Sequence, residues 1–341
     1  MSTVTSVRPP VTLVMYHYVR PIAGSRHPRI RGLELHDFEG QLDHIQRNYQ
    51  VISAAQLVQA TRTGSPLPDN ALLLTFDDGY ADHYHYVTPA LQRRGMSGVF
   101  FPTSGTVEDR RMLDVNRLHF VLATAGDVGA LVRSVEDAVE ASRSEFDMPP
   151  LADFRSGLWA ANRFDPPDVI YVKRMLQFAL PEMLRNRIAS HLFREYVSSD
   201  EDAFADELYV SVDQLRGMRE GGMEIGSHGH AHHWLDSLAV VDQARDIDRS
   251  LQMLDRIGVA RQGFYFCYPF GGYTPDTVAL LDDRGCGAAF TTRVALARPV
   301  ANQMLELPRL DTNDLPRRGD AAPSNWIAAA RQGRDTLKNE L

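Results

Sequence analysis

The chain has 341 residues, 44% of them hydrophobic and 23% charged, which are the proportions of a globular protein and exclude a disordered or fibrous one. Its 36 basic and 44 acidic side chains leave a net charge of −8 at pH 7, which argues against a nucleic-acid partner, because polyanion binders carry a basic balance or a clustered basic face. No apolar run approaches the roughly 20 residues of a bilayer span and the first residues lack a secretory pattern, so a cytoplasmic protein without a membrane span is expected.

Short runs rich in β-branched and aromatic residues predict seven buried strands, at 11–16, 71–76, 98–101, 223–227, 264–268, 287–292 and 305–310. Helical patterns lie between them. "HDFEGQLDHIQRN" sets Phe38, Leu42 and Ile45 on one face, and "VTPALQRRG" and "PDTVALLDDRG" each carry an early proline and a closing glycine. Strand then helix, repeated, predicts an α/β fold with a parallel sheet or barrel. The alternation stops at about 107–207, where helical periodicity runs on without a strand and prolines at "FDMPP" and "FDPPD" punctuate it. The expected organisation is therefore a first part of the barrel at 1–106, a helical insertion or cap at 107–207, a second part at 208–315, and a surface tail at 316–341 that ends in a short helix. The two cysteines, Cys267 and Cys286, imply no disulfide framework and read as small buried hydrophobes.

Two segments carry the chemistry. "LLLTFDDGYAD" is a buried strand that ends in Asp77 and Asp78 followed by Gly79, at the strand end where α/β folds place ligands. Adjacent residues of a strand point to opposite faces, so both carboxylates reach one site only if a turn at Gly79 redirects them. "IGSHGHAHHW" holds His228, His230, His232 and His233. On a helical turn His228 and His232 would share a face, His230 would point away, and a carboxylate such as Asp78 would complete an Asp-His-His set with an open position for water. The structural alternatives are an Asx turn for the aspartates and a solvated loop for the histidines.

"TFDDG" followed by "SHGHAH" resembles the first two motifs of the polysaccharide deacetylase family, carbohydrate esterase family four. The resemblance implies a distorted (β/α)7-type barrel, Asp77 as general base, and Asp78, His228 and His232 as ligands of one divalent metal ion. Zinc is the expected metal, with cobalt, nickel or iron as alternatives. "CYPFGGY" is similar to the family's third motif, with Pro269 and Phe270 at the oxyanion turn, and Tyr80 is a further candidate substrate contact. The family's arginine just before that turn is missing, as is its late Leu-His pair. "LVMYHYV" resembles instead a circularly permuted branch whose acid histidine comes early, which makes His17 the candidate general acid.

These parts imply hydrolysis of an N-acetyl group on an amino sugar, nucleotide-linked, lipid-linked or free. A deformylase or other amide hydrolase, a non-catalytic sugar-binding relative and a metal phosphoesterase are the other readings. The insertion is long enough to cap the crevice or to make a homo-oligomer contact.

Overall fold

The computed structural model describes residues 9–161 and 165–331; the end of the expected tail, 332–341, lies outside them. Two compact units are present. The first runs through Pro21, Gly32–Arg111 and from Asp206 onward; the second comprises Ile22–Arg31 and Met112–Ala205.

In the first unit the strands are β1 (Thr12–Tyr16), β2 (Val19–Arg20), β3 (Leu33–Glu34), β4 (Gln50–Val51), β5 (Ala71–Asp78), β6 (Val99–Pro102), β7 (Glu224–Ile225), β8 (Tyr265–Cys267), β9 (Ala288–Phe290) and β10 (Leu310–Asp311). Six of the seven expected strands have counterparts here, and the seventh, 305–310, meets β10 only at Leu310. The two-residue strands β2, β3 and β4 are too short to leave a period in the sequence.

The main sheet has the order β10-β1-β5-β6-β7, with β4 beside β5. Every pairing in it is parallel. Parallel bridges carry it on, from Ser227 to Phe266 in β8 and from Phe290 in β9 to Leu307 just before β10, and β8 pairs with β9. The hydrogen-bonded circuit so returns through seven strands to its start, as the repeated strand-helix pattern predicts.

All eight residues of β5 are buried, as expected for a parallel strand covered on both faces. Its side chains alternate. Leu72, Leu74 and Phe76 pack with Phe38, Leu42 and Leu91 of the surrounding helices, whereas Leu73 joins Leu13, Phe101, Cys267 and Phe290. Asp77 is in phase with Leu73, so it points to that second face.

Around the sheet, helix ends are closed by local chemistry. Capping boxes at Ser53–Gln56, Ser211–Gln214 and Thr274–Thr277 start three helices. The Glu224 carboxylate accepts the amides of Ala54 and Ala55 at 2.6 and 2.9 Å. The tail departs from expectation. Its helix Asn325–Arg331 buries Ile327 and Ala330 against Leu296 and Leu310, so the segment is part of the core and not only surface.

The second unit contains the helices Asp114–Thr124, Val128–Ala141, Leu151–Leu158, Pro167–Arg174 and Glu182–Tyr196, and no strand among its described residues. Phe120, Phe193 and Phe204 pack edge to face at its centre. Residues 22–31 join it because Arg29 donates to the carbonyls of Ala123, Thr124 and Ala125, closing the end of the first helix.

Candidate metal and catalytic centre

Asp77 and Asp78 leave β5 in different directions. Asp78 has φ 71° and Gly79 φ 72°, and this left-handed pair turns the Asp78 carboxylate away from the face that strict alternation would give it. A Cβ on Gly79 would lie 2.7 Å from Pro102, so the position is closed to larger residues. The redirecting turn therefore includes Asp78 itself as well as the expected glycine.

Oδ1 of Asp78 lies 3.4 Å from Nε2 of His228 and 3.2 Å from Nε2 of His232. One ligand atom from each of the three lies within 4.8 Å of the others. That Oδ1 is buried and has no hydrogen-bond partner, an arrangement that costs free energy unless a cation occupies the gap. The donor set and the orphaned oxygen fit a divalent ion.

The other polar atoms of Asp78 and His228 are committed. The Tyr80 hydroxyl donates to Asp78 Oδ2 at 2.5 Å, and Nδ1 of His228 donates to the Cys267 carbonyl at 2.8 Å. Fixing the second ring nitrogen in this way leaves Nε2 as the lone-pair donor. His232 packs edge to face on Phe270 at 4.5 Å, and Phe270 stacks on Trp234 at 4.6 Å.

The histidine segment is not a helical turn. It is a loop in which Gly229 (φ 72°) and His232 (φ 57°) bend the backbone until the two rings converge, their centroids 4.9 Å apart. His230 and His233 have other partners. Nδ1 of His230 lies 2.9 Å from the Ser104 hydroxyl and its Nε2 3.5 Å from Asp109, while His233 approaches Asp246 at 3.8 Å.

Asp77 has a partner that the sequence reading missed. Arg309, fully buried, places Nη1 2.8 Å from Oδ1 and Nη2 2.8 Å from Oδ2 of Asp77. Its remaining donors reach the Thr75 hydroxyl, the Thr291 carbonyl and Cys267 Sγ. An arginine thus reaches Asp77 from the segment leading into β10 and not from the residues before the Pro269 turn. The signal was a single basic residue in the largely apolar run "LELPRL". Burial alone would raise the Asp77 carboxyl above its ordinary value, but the Arg309 guanidinium outweighs it and holds the group below. Asp78 is likewise opposed by burial and carried well below the ordinary range by the imidazoles of His228 and His232 beside it.

Tyr80 was expected at the substrate. It is fully buried, stacks on Tyr18 at 4.1 Å and donates its hydroxyl to Asp78, so its polar end is engaged inside the protein. Burial followed by the Asp78 charge pushes its phenol far up, which keeps it a neutral donor. Cys267 is buried and unbridged as expected, yet it is more than filler: its Sγ lies 3.4 Å from Asp77 Oδ2. Pro269 is buried at the start of a tight turn, and Phe270 follows it in the left-handed region at φ 56°.

Tyr16 is opposite Phe76 in the register of β1 on β5, so His17, the residue after β1, follows at the level of Asp77. The half-buried His17 lies near enough to favour the charged forms of Asp77 and Asp78 and to disfavour that of His232. Its carbonyl accepts from Nε2 of the buried His83 at 3.0 Å. Asp82, another candidate support, is paired with Arg20 at 2.6 Å.

The profile of the polysaccharide deacetylase family matches residues 64–138 and 184–289. The chain belongs to the polysaccharide deacetylase family. A stretch of 63 residues is 43% identical to poly-beta-1,6-N-acetyl-D-glucosamine N-deacetylase of Escherichia coli K12, covering 18% of this chain and only 9% of that protein. Among solved structures, the deacetylase PplD of Streptococcus pyogenes superposes with a TM-score of 0.57 at 15% identity, over 94% of this chain and 98% of that one. IcaB of Ammonifex degensii gives 0.53 at 18% identity, over 96% and 98%. These likenesses show that the family's fold extends over nearly the whole chain. Among the described residues no helix is long and apolar enough to cross a membrane.

Proposed function

We propose that this polysaccharide deacetylase removes the acetyl group from an N-acetylated amino sugar, with Asp78, His228 and His232 holding a zinc ion. The orphaned Asp78 Oδ1 facing two Nε2 atoms carries this reading. When bound, the ion supplies Lewis acidity toward the amide carbonyl and a water. Asp77, kept ionised by Arg309, accepts a proton from the water that attacks the carbonyl carbon. The Phe270 amide, presented by its left-handed turn, donates to the carbonyl oxygen as charge builds there. His17, as imidazolium, delivers a proton to the nitrogen as the C–N bond breaks, so acetate and a free amine leave. Arg309 also supports a working centre over a lapsed sugar-binding one, since the gap before the oxyanion turn had made the lapsed form conceivable.

The stretch matched to the E. coli enzyme favours N-acetylglucosamine units in β-1,6 linkage over the nucleotide-linked, lipid-linked or free sugars expected from the sequence. Acetate release from β-1,6-linked and chitin oligomers, nucleotide sugars and free N-acetylglucosamine ranks the candidates. Zinc-loaded protein that releases acetate from none of them overturns the reading.

A further inference from the structure

Gly229 to Ala231 join the two histidines of the centre and form no helix or strand with one another, so something outside must set their path. Their carbonyl side is held by the start of the helix Ser104–Glu108, whose Ser104 and Gly105 amides donate to the carbonyls of Gly229 and His230 at 3.1 and 2.9 Å. Their amide side is held by one carboxylate. Asp246, 8% exposed on the helix Val240–Arg256, accepts the His230 amide on Oδ2 at 2.8 Å and the Ala231 amide on Oδ1 at 2.9 Å. A Cβ on Gly229 would come within 2.6 Å of that same Oδ2, so the glycine makes room for the carboxylate. One turn further along the helix, Ser250 accepts from Ser227, whose hydroxyl takes the Gly229 amide.

We propose that Asp246 is a positioning residue for the metal centre: by gripping two successive amides it fixes the backbone between His228 and His232 so that both Nε2 atoms meet Asp78 Oδ1. Neither asparagine nor alanine can do this. Asparagine offers one accepting oxygen and would aim its NH2 group at an N–H, and alanine leaves both amides without a partner. Asp246 itself stands behind the loop and touches no ligand atom in the three-residue set. The inference rests on the Asp78-His228-His232 reading and adds to it the device that makes the loop rigid enough to bind.

The test is equilibrium titration of the full chain with Zn2+, together with the visible absorption spectrum of the Co2+ form, for Asp246→Asn, Asp246→Glu and His232→Ala. The expected result is about a 10- to 100-fold weaker Zn2+ affinity and an altered Co2+ spectrum in Asp246→Asn. Asp246→Glu, which keeps both oxygens but displaces them by a methylene, should be intermediate and covers the case in which the asparagine variant does not fold. His232→Ala should abolish specific binding. If His232→Ala loses the metal while Asp246→Asn, or Asp246→Glu in its place, binds and absorbs like wild type, the role of Asp246 is overturned and the ligand set stands. If His232→Ala still binds like wild type, the ligand set fails and this inference falls with it.

Discussion

Arg309 and Asp77 face each other as a fork on a fork, two N–H···O contacts of 2.8 Å between a guanidinium and a carboxylate, both buried and 232 residues apart in sequence. A pair so desolvated is costly to break from one side. Arg309→Met should destabilise the fold by about 3–5 kcal/mol, the order seen when a buried charge loses its partner. Burial would then act on Asp77 without its main opposing charge and raise its pKa, so the acidic limb of the rate–pH profile should move to higher pH. A profile that stays in place in folded Arg309→Met would show that Asp77 is not the titrating base.

Metal content and turnover should separate at the two aspartates. Asp78→Ala should lose the ion. Asp77→Asn, which leaves the Asp78-His228-His232 set intact, should retain it and lose acetate release by about two to four orders of magnitude, the range of general acid–base catalysis. Elemental analysis beside a turnover assay on the same preparations checks both halves.

His17→Ala should lower kcat by about 100-fold or more while metal affinity stays near that of wild type, because the residue serves the leaving nitrogen and is outside the ligand set. A substrate whose leaving amine is already a weak base should recover much of the lost rate. Equal loss on both substrates would remove the acid role.

His83 is buried with its ring against Phe76, Tyr80 and Phe100, and burial lowers its pKa from 6.5 to about 4. A histidine depressed in the folded state takes up its proton more readily unfolded, so its contribution to stability is full above about 6.5 and declines as the pH falls toward 4. The slope should approach about 1.4 kcal/mol per pH unit within that window. Denaturation midpoints followed from pH 7 to 4 should fall less steeply in His83→Gln than in wild type.

The residues that converge at the candidate centre were legible because their spacing along the chain is short: two carboxylates at a strand end and two histidines four apart. The strands were legible for a similar reason, as each is a local apolar run. The way the ligands converge was not, since it depends on left-handed residues at Asp78 and His232 that propensity disfavours and tertiary contacts impose. Arg309 was hidden by distance in sequence. Nothing near residue 77 announces a partner at 309, and only the closing of the strand circuit brings the two together. The partner of Tyr80 was hidden too: its closeness to the motif suggested substrate, and only the structure shows its hydroxyl on Asp78.

The placement of β1 between β5 and β10 has a consequence for how the protein comes into being on the ribosome. Domains begin to fold while synthesis continues, and earlier segments are free to pair before later ones exist. β1 and β5 can meet as soon as the first eighty or so residues have emerged, which sets Asp77 in place beside His17. Its counter-charge follows only after about 230 more residues, with Arg309. Until then a growing chain carries a carboxyl that favours its proton if buried and water if not. Chains interrupted before residue 309 should therefore be poor catalysts and also recognisable as unfinished, with the edge of β1 still open to whatever strand or chaperone meets it first.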